Sequence, residues 1–349
     1  YIAIGCGPKP VLPSHTFDSG EITAMAAKET LDFETLRVPI ISRGYITQTV
    51  GGIPVSQLVL TAQLPAESRY GITEVGLYPA ASNPVAVNND SRMLTNFSNS
   101  EAWSVVNYSN SADLSVVPDG TINTTTPTTI FANSLDATLT NQTRILASEI
   151  PRNGTTSLVV PGTLTTFTAG APSGGKYLLL ENPGIDLSGS SPVDKLRIAF
   201  SAISPGTSGT ITAGTTATII VEFGNTKEPA TGGYARATFT KTIGDISGTQ
   251  SRYFVAEINV SQITSNNFSW SNAQYMKVYV STSNSAIIAI DGLRVDNVSS
   301  ESPVYGLVGY TVIKNSLTTT GGSVGAVPAV KEKDKTSLVE FRFQIGLQQ

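Results

Sequence analysis

The clearest alternation in the chain lies near its end. Over residues 337–347, Val339, Phe341, Phe343 and Ile345 share one face and Glu340, Arg342 and Gln344 the other, the period-two signature of a strand with one wet side. Residues 36–48 and 55–64 form two further β-rich runs, joined by Val50-Gly51-Gly52-Ile53-Pro54, which reads as a hairpin. In residues 71–79, Val75 and Leu77 share a face, and Gly76 leaves room for a close neighbouring backbone. Pro79, Ser82, Asn83 and Pro84 then turn the chain into a second short apolar run, Pro84-Val85-Ala86-Val87. Residues 1–16 read as a strand followed by a turn on Pro8, Pro10 and Pro13. Residues 19–31 hold the single predicted helix, with Ser19 as N-cap and Ile22, Met25 and Ala26 toward the core.

From about Met93 the text changes. Strand-like runs at 176–180, 195–202, 217–223, 234–240, 252–260 and 275–280 are punctuated by Asn, Gly, Ser and Pro. Many short strands with turn signals between them predict a sandwich or barrel, not βαβ units. Past residue 302 another strand-like run, 302–314, a Thr/Gly/Ser loop and the charge run 331–335 lead to the closing strand. Three small domains in series would leave that strand without a sheet, and two strands alone are marginal. The economical reading is a discontinuous outer domain, 1–92 and 303–349, with residues 93–302 inserted at its hairpin.

Four elements of the outer part resemble, in order, the N-terminal domain of phage tail-collar fibre proteins. Ile2-Ala3-Ile4-Gly5 matches an "I-A-x-G" strand and Arg37-Val38-Pro39-Ile40 an "R-x-P-I" strand. Ile72-Thr73-Glu74-Val75-Gly76-Leu77-Tyr78 matches "I-x-E-x-G-L-[FY]", which leads to a short apolar strand. The resemblance implies a docking domain on a virus particle, with Arg37, Glu74, Gly76 and Tyr78 as its assembly motif. Arg37 and Glu74 would pair across neighbouring strands or a subunit contact; the plainer reading is two half-buried strand positions.

The ends of the inserted part resemble jelly-roll carbohydrate-binding modules: Asn96, Phe97, Trp103 and Val105 at the start, Ile288, Ile290, Asp291, Leu293 and Val295 at the finish. Gly292 stands where those modules usually carry a second Asp or Asn. The resemblance implies a sandwich with Trp103 in its core. Trp270, in the Asn-rich loop 266–272, offers a flat apolar face for a sugar ring, with Tyr275 or Tyr108 as companions; a loop anchor is the alternative role.

Composition narrows the function. Charged residues are 14% and hydrophobics 40% of the 349 residues, against roughly 25% charged in an average soluble protein. A net charge of −4 without a basic patch gives no reason to expect nucleic acid, and no apolar run approaches the length of a spanning helix. Cys6 and His15 are the single cysteine and histidine, which disfavours a His/Cys zinc site and confines any His-dependent triad to a Pro-rich turn. The chain opens at Tyr1 inside a strand-like run, so residues are expected to precede it and no targeting signal is read from its start. No motif singles out a carboxylate pair, so no enzyme is expected. Asp186, Asp291 and Asp296 are the weak candidates for a structural calcium, and no other cofactor is expected. The Asn-x-Ser/Thr triplets at Asn107, Asn141, Asn153, Asn259 and Asn297 are those of a chain rich in all three residues.

The expectation is therefore a mainly β chain, a discontinuous outer β domain with an inserted jelly-roll β-sandwich. It would serve as a fibre or adaptor component of a bacteriophage tail or baseplate, located in the virion. Its partners would be other virion proteins and further copies of itself, in a trimer or higher ring, and host-surface polysaccharide is the candidate ligand of the sandwich. The alternatives are a carbohydrate-binding or accessory module of an extracellular glycan-active bacterial protein, and a neck or head appendage.

Overall fold

The computed structural model describes residues 1–7, 10–66, 69–79, 92–97, 101–107, 130–133, 156–161, 165–204, 210–228, 232–247, 251–296, 306–317, 327–328 and 330–347. The chain divides into an outer unit, Tyr1–Val85 with Pro303–Gln349, and an inserted unit, Ala86–Ser302. Among the described residues β-strands dominate both, and the chain is mainly β.

The outer unit begins with β1 (Ile2–Gly5), α1 (Ser19–Ala26), β2 (Glu34–Val38), β3 (Ile40–Val50), β4 (Ile53–Leu64), β5 (Tyr70–Ile72) and β6 (Glu74–Leu77). One sheet runs β2-β1-β6 and adds Gly309–Val312 from beyond the insertion. A second, three-stranded sheet places β4 between β3 and the closing strand Val339–Leu347. Ile2, Ile4, Val75 and Leu77 from the first sheet meet Leu60, Ala62 and Leu64 from the second, with Phe341 and Phe343 partly buried against them. The alternation expected of the closing strand holds: Val339, Phe341, Phe343 and Ile345 pack on this core while Glu340, Arg342 and Gln344 are exposed.

The helix departs from its expectation. Asp18, not Ser19, is the N-cap, and Asp18 and Glu21 form a reciprocal capping box. The eight-residue helix stops at Ala26 and buries no residue. Ile22 is 56% exposed, and with Met25 and Ala26 it lines an open groove against Leu307 and Tyr310 rather than the core.

The inserted unit is a two-sheet sandwich. One sheet orders Ser251–Asn259, Lys195–Ile203, Ile287–Asp296, Thr156–Pro161 and Ile130–Asn133. The other orders Thr165–Thr168, Ala171–Ile185, Ala273–Thr282, Thr216–Gly224, Tyr234–Thr242 and Thr264–Asn266. The two terminal stretches join one sheet each: Arg92–Thr95 pairs with Ile287–Asp296, and Trp103–Asn107 with Ala171–Ile185. Between the sheets lie Phe97, Trp103, Leu178, Ile198, Phe223 and Ile290 among others. Phe97 and Trp103 stack at 5.2 Å, so Trp103 is core.

Candidate functional site

The four residues expected to form an assembly motif are buried inside the outer unit. The Glu74 carboxylate is 2% exposed. Its Oε1 accepts the Phe33 N–H at 3.0 Å, and its Oε2 accepts the Asp32 N–H at 3.0 Å and the Tyr310 hydroxyl at 3.2 Å. Gly7 makes room for it, since a Cβ there would lie 2.8 Å from Oε1. Burial, then the neighbouring Asp32 charge, push the Glu74 pKa up to about 7 against the pull of the two N–H donors. The same burial, with Glu74 beside it, raises the Tyr310 hydroxyl.

Arg37 does not reach Glu74. It forms a bidentate pair with Glu34 at 2.9 and 2.6 Å, and its guanidinium lies 3.7 Å from the centre of the Tyr78 ring. Tyr78 is 2% exposed and accepts the Leu31 N–H. A Cβ on Gly76 would meet Leu307 and Leu31 at 2.5 and 3.0 Å. The motif is thus an internal latch that ties residues 31–37 and Tyr310 to β6. The pairing of Arg37 with Glu74 across neighbouring strands is not found: an ionic group can sit in such a strand only by collecting partners, and Glu74 collects its own from Asp32, Phe33 and Tyr310.

In the sandwich, Trp270 is half-buried. It packs against the core, meets Phe268 edge-to-face at 5.5 Å, and its carbonyl accepts the Leu187 N–H at 2.7 Å. Tyr275 belongs to a different cluster, with Tyr177, Leu179 and Tyr279 on the opposite side of the same sheet. The structure does not bring the two aromatics together, and Tyr108 lies outside the described residues. The candidate calcium ligands do not converge either. Asp186 caps its own turn through Ser188, Asp291 accepts the Tyr253 hydroxyl at 2.8 Å, and Asp296 pairs with Arg294 and Arg197. Among the described residues no acidic, His or Cys group gathers to hold a metal. His15 sits 3.1 Å from the Glu21 carboxylate at the helix cap.

Sequence reasoning missed a buried ionic network on the far side of that sheet. Glu222, fully buried, accepts from Arg236 at 2.7 Å, Lys277 at 3.1 Å and the Tyr279 hydroxyl at 3.3 Å. Lys277 also donates to the Glu228 carbonyl and Tyr177 to the Lys227 carbonyl. Burial lowers the Lys277 pKa against the opposing Glu222 charge, and burial followed by Glu222 raises Tyr279. The cross-strand register Glu222↔Lys277 and Glu222↔Arg236 was the only signal, and alternation alone reads all three as solvated. Chemically the network pins the 225–228 segment over the sheet; it offers no open surface.

The outer unit's three-stranded sheet is the reverse. Its inner end packs on the core, and its outer end runs on with none of the described residues over it. Residues 41–49 are exposed throughout. Ile41 is 60%, Tyr45 74%, Ile53 66% and Leu338 63% exposed. Tyr45, Leu58 and Ile345 stand opposite one another on the three strands, so the apolar face continues past the point where the core stops. Gly51 and Gly52, both at positive φ (61° and 85°), make the tight two-residue turn at its tip. Both edges of the sheet, β3 and the closing strand, pair on one side only among the described residues.

No family model and no curated protein matches the chain. Solved structures share features of it at low likeness. They include a family 30 carbohydrate-binding module of a cellulosomal cellulase of Clostridium thermocellum, 13% identical over 60% of this chain and 99% of the module, TM-score 0.29. A cleaved adhesin domain of Lys-gingipain from Porphyromonas gingivalis is 12% identical over 60% of this chain and 98% of its own, TM-score 0.27. The carbohydrate-binding and catalytic modules of a C. thermocellum endo-1,4-beta-D-xylanase, complexed with xylohexaose, are 10% identical, TM-score 0.28; the match spans 61% of this chain and only 28% of theirs. At TM-scores this low the likenesses carry no function to the chain.

Proposed function

We propose that this chain is a structural, self-associating component of a bacteriophage tail or baseplate, which docks through its outer unit and carries the sandwich as a passenger domain. The observation that carries the reading is the open three-stranded sheet, in the unit that bears the tail-collar-like motifs: a long hairpin with Tyr45 exposed on the face that continues the core, Ile53 exposed on the other, and edges that pair on one side only among the described residues. An apolar sheet face stabilises a fold only when covered, and within the outer unit nothing described covers it. Its cover belongs to an assembly, and the chemistry is association rather than catalysis.

A second reading, binding of host-surface polysaccharide by the sandwich, is favoured by Trp270 and Phe268. They remain half-exposed beside the exposed Ser269, Ser271 and Asn272, an aromatic edge with polar groups around it. The test is the mass of the full chain in solution by light scattering over a concentration series, run with and without a panel of host-surface glycans. Oligomers are expected without glycan, and a monomer at every concentration contradicts self-association. A glycan-dependent shift lost in Trp270→Ala adds the second reading; no shift with any glycan removes it.

A further inference from the structure

Resting on that reading, we infer that the outer edge of β3 is completed by a second copy of this chain, added antiparallel around a two-fold axis at Gly44. The two edges of the sheet differ in how they are guarded. Natural sheets guard exposed edges with lysines, prolines, bulges or short strands. β3 is eleven residues long, and from Ile41 to Val50 it has no lysine or proline and a single charge, Arg43. Its one bulge, between Ile40 and Ser42, sits at the base. The opposite edge, Val339–Leu347, is guarded by the exposed pair Glu340 and Arg342.

The two-residue turn makes Val50 and Ile53 a hydrogen-bonded pair, so every second residue back from Val50 turns its N–H and C=O toward β4. Ser42, Gly44, Ile46 and Gln48 are therefore spent on β4, while Arg43, Tyr45, Thr47 and Thr49 point theirs at the open edge. An antiparallel mate must match such residues with their equivalents. With the axis at Gly44, Arg43 stands opposite Tyr45 of the second copy and Tyr45 opposite its Arg43. Each guanidinium then meets an aromatic ring instead of another guanidinium. An axis one residue nearer the strand's start would oppose the two arginines. Gly44 itself has open space around its Cβ position, so two glycines can meet at the axis.

With the axis at Gly44 the exposed residues 41–47 of the two copies face each other, an edge about 23 Å long that with its flanking side chains hides roughly 250–400 Å² per copy, the low end of specific contacts. The inference is thus a reversible dimer that tightens when copies are held together on a particle. It joins the two sheets into one of six strands and extends the Tyr45–Leu58–Ile345 row across it.

The test is a Gly44→Cys variant of the full chain, oxidised mildly and run on a non-reducing gel. Residues at an unbonded antiparallel position lie about 4.5 Å apart, close enough for a disulfide, and Cys6, the chain's other cysteine, is buried. A covalent dimer is expected at concentrations where the unmodified chain dimerises. Tyr45→Lys, an exposed change that leaves the fold alone, is expected to raise the dimer dissociation constant roughly tenfold or more. If light scattering shows oligomers that survive Tyr45→Lys and Gly44→Cys gives no cross-link, this inference fails and the assembly reading stands. If the unmodified chain stays monomeric at all concentrations, both fail.

Discussion

The sandwich and the outer sheet use the same vocabulary, short runs of Ile, Val, Tyr and Thr with few charges, and treat it in opposite ways. In the sandwich the two sheets cover each other's inner faces, and the strands at the middle of one sheet are buried on the far face as well. Phe223, Val278 and Ile290 are buried between the sheets, and on the far side Tyr177, Lys277 and Tyr279 are buried too, under carbonyls of the 225–228 segment. In the outer unit the hairpin of β3 and β4 buries Leu60, Ala62 and Leu64 but leaves Ile41, Tyr45 and Ile53 bare. The difference shows what low charge means here. It lets a strand be covered, and whether the cover comes from the same chain or another depends on what the fold brings over it. Among the described residues the sandwich core is covered within its own unit, and the far end of the outer sheet is not.

The comparison breaks first if the sandwich core is not where stability resides. Phe223→Ala should cost about 3–5 kcal/mol, read by denaturant unfolding. Removing the acid of the buried network, Glu222→Ala, should cost a similar 3–5 kcal/mol, because Arg236 and Lys277 lose the charge that compensates their burial. An effect of a few tenths would mean the network is solvated.

Glu74 sharpens the outer half of the comparison. Its folded pKa of about 7 lies above the ordinary 4.5, so the folded state holds a proton that the unfolded chain releases. Stability contributed by the protonated form is full below pH 4.5 and is lost as pH rises to about 7. The loss is at most about 3 kcal/mol. Glu74→Gln should flatten that slope, although an amide facing the Asp32 N–H lowers stability at every pH. An unchanged slope would show that Glu74 stays ionised. The smallest effect belongs to the open sheet: Ile53→Ser should change the stability of dilute protein by no more than about 0.5 kcal/mol. A cost above 2 kcal/mol would show that the chain covers this face itself.

Much of the fold was legible because local signals agreed with it. Gly51-Gly52 fixed the hairpin register, and the alternation from Val339 to Ile345 fixed the face of the closing strand. Trp103 opens one strand of the sandwich and residues 288–295 lie in another. The candidate sites were harder to read, because burial of a polar residue depends on partners far away in sequence. Glu74 finds Asp32, Phe33 and Tyr310, and Glu222 finds Lys277; neither spacing is a motif. Ile22 and Met25 have helical spacing, yet a two-turn helix capped at Asp18 lines only an open groove. The exposure of Tyr45 was illegible for the opposite reason, since an uncovered strand has the same sequence pattern as a covered one.

Amide hydrogen exchange along β3, in dilute and in concentrated full-length protein, tests the central claim most directly. Its odd-numbered amides, Arg43, Tyr45, Thr47 and Thr49, should exchange freely when dilute and become protected as concentration rises, while those of Gly44 and Ile46 are protected in both. Protection of the odd-numbered amides in dilute monomer, or none at any concentration, would contradict an edge that is completed by assembly.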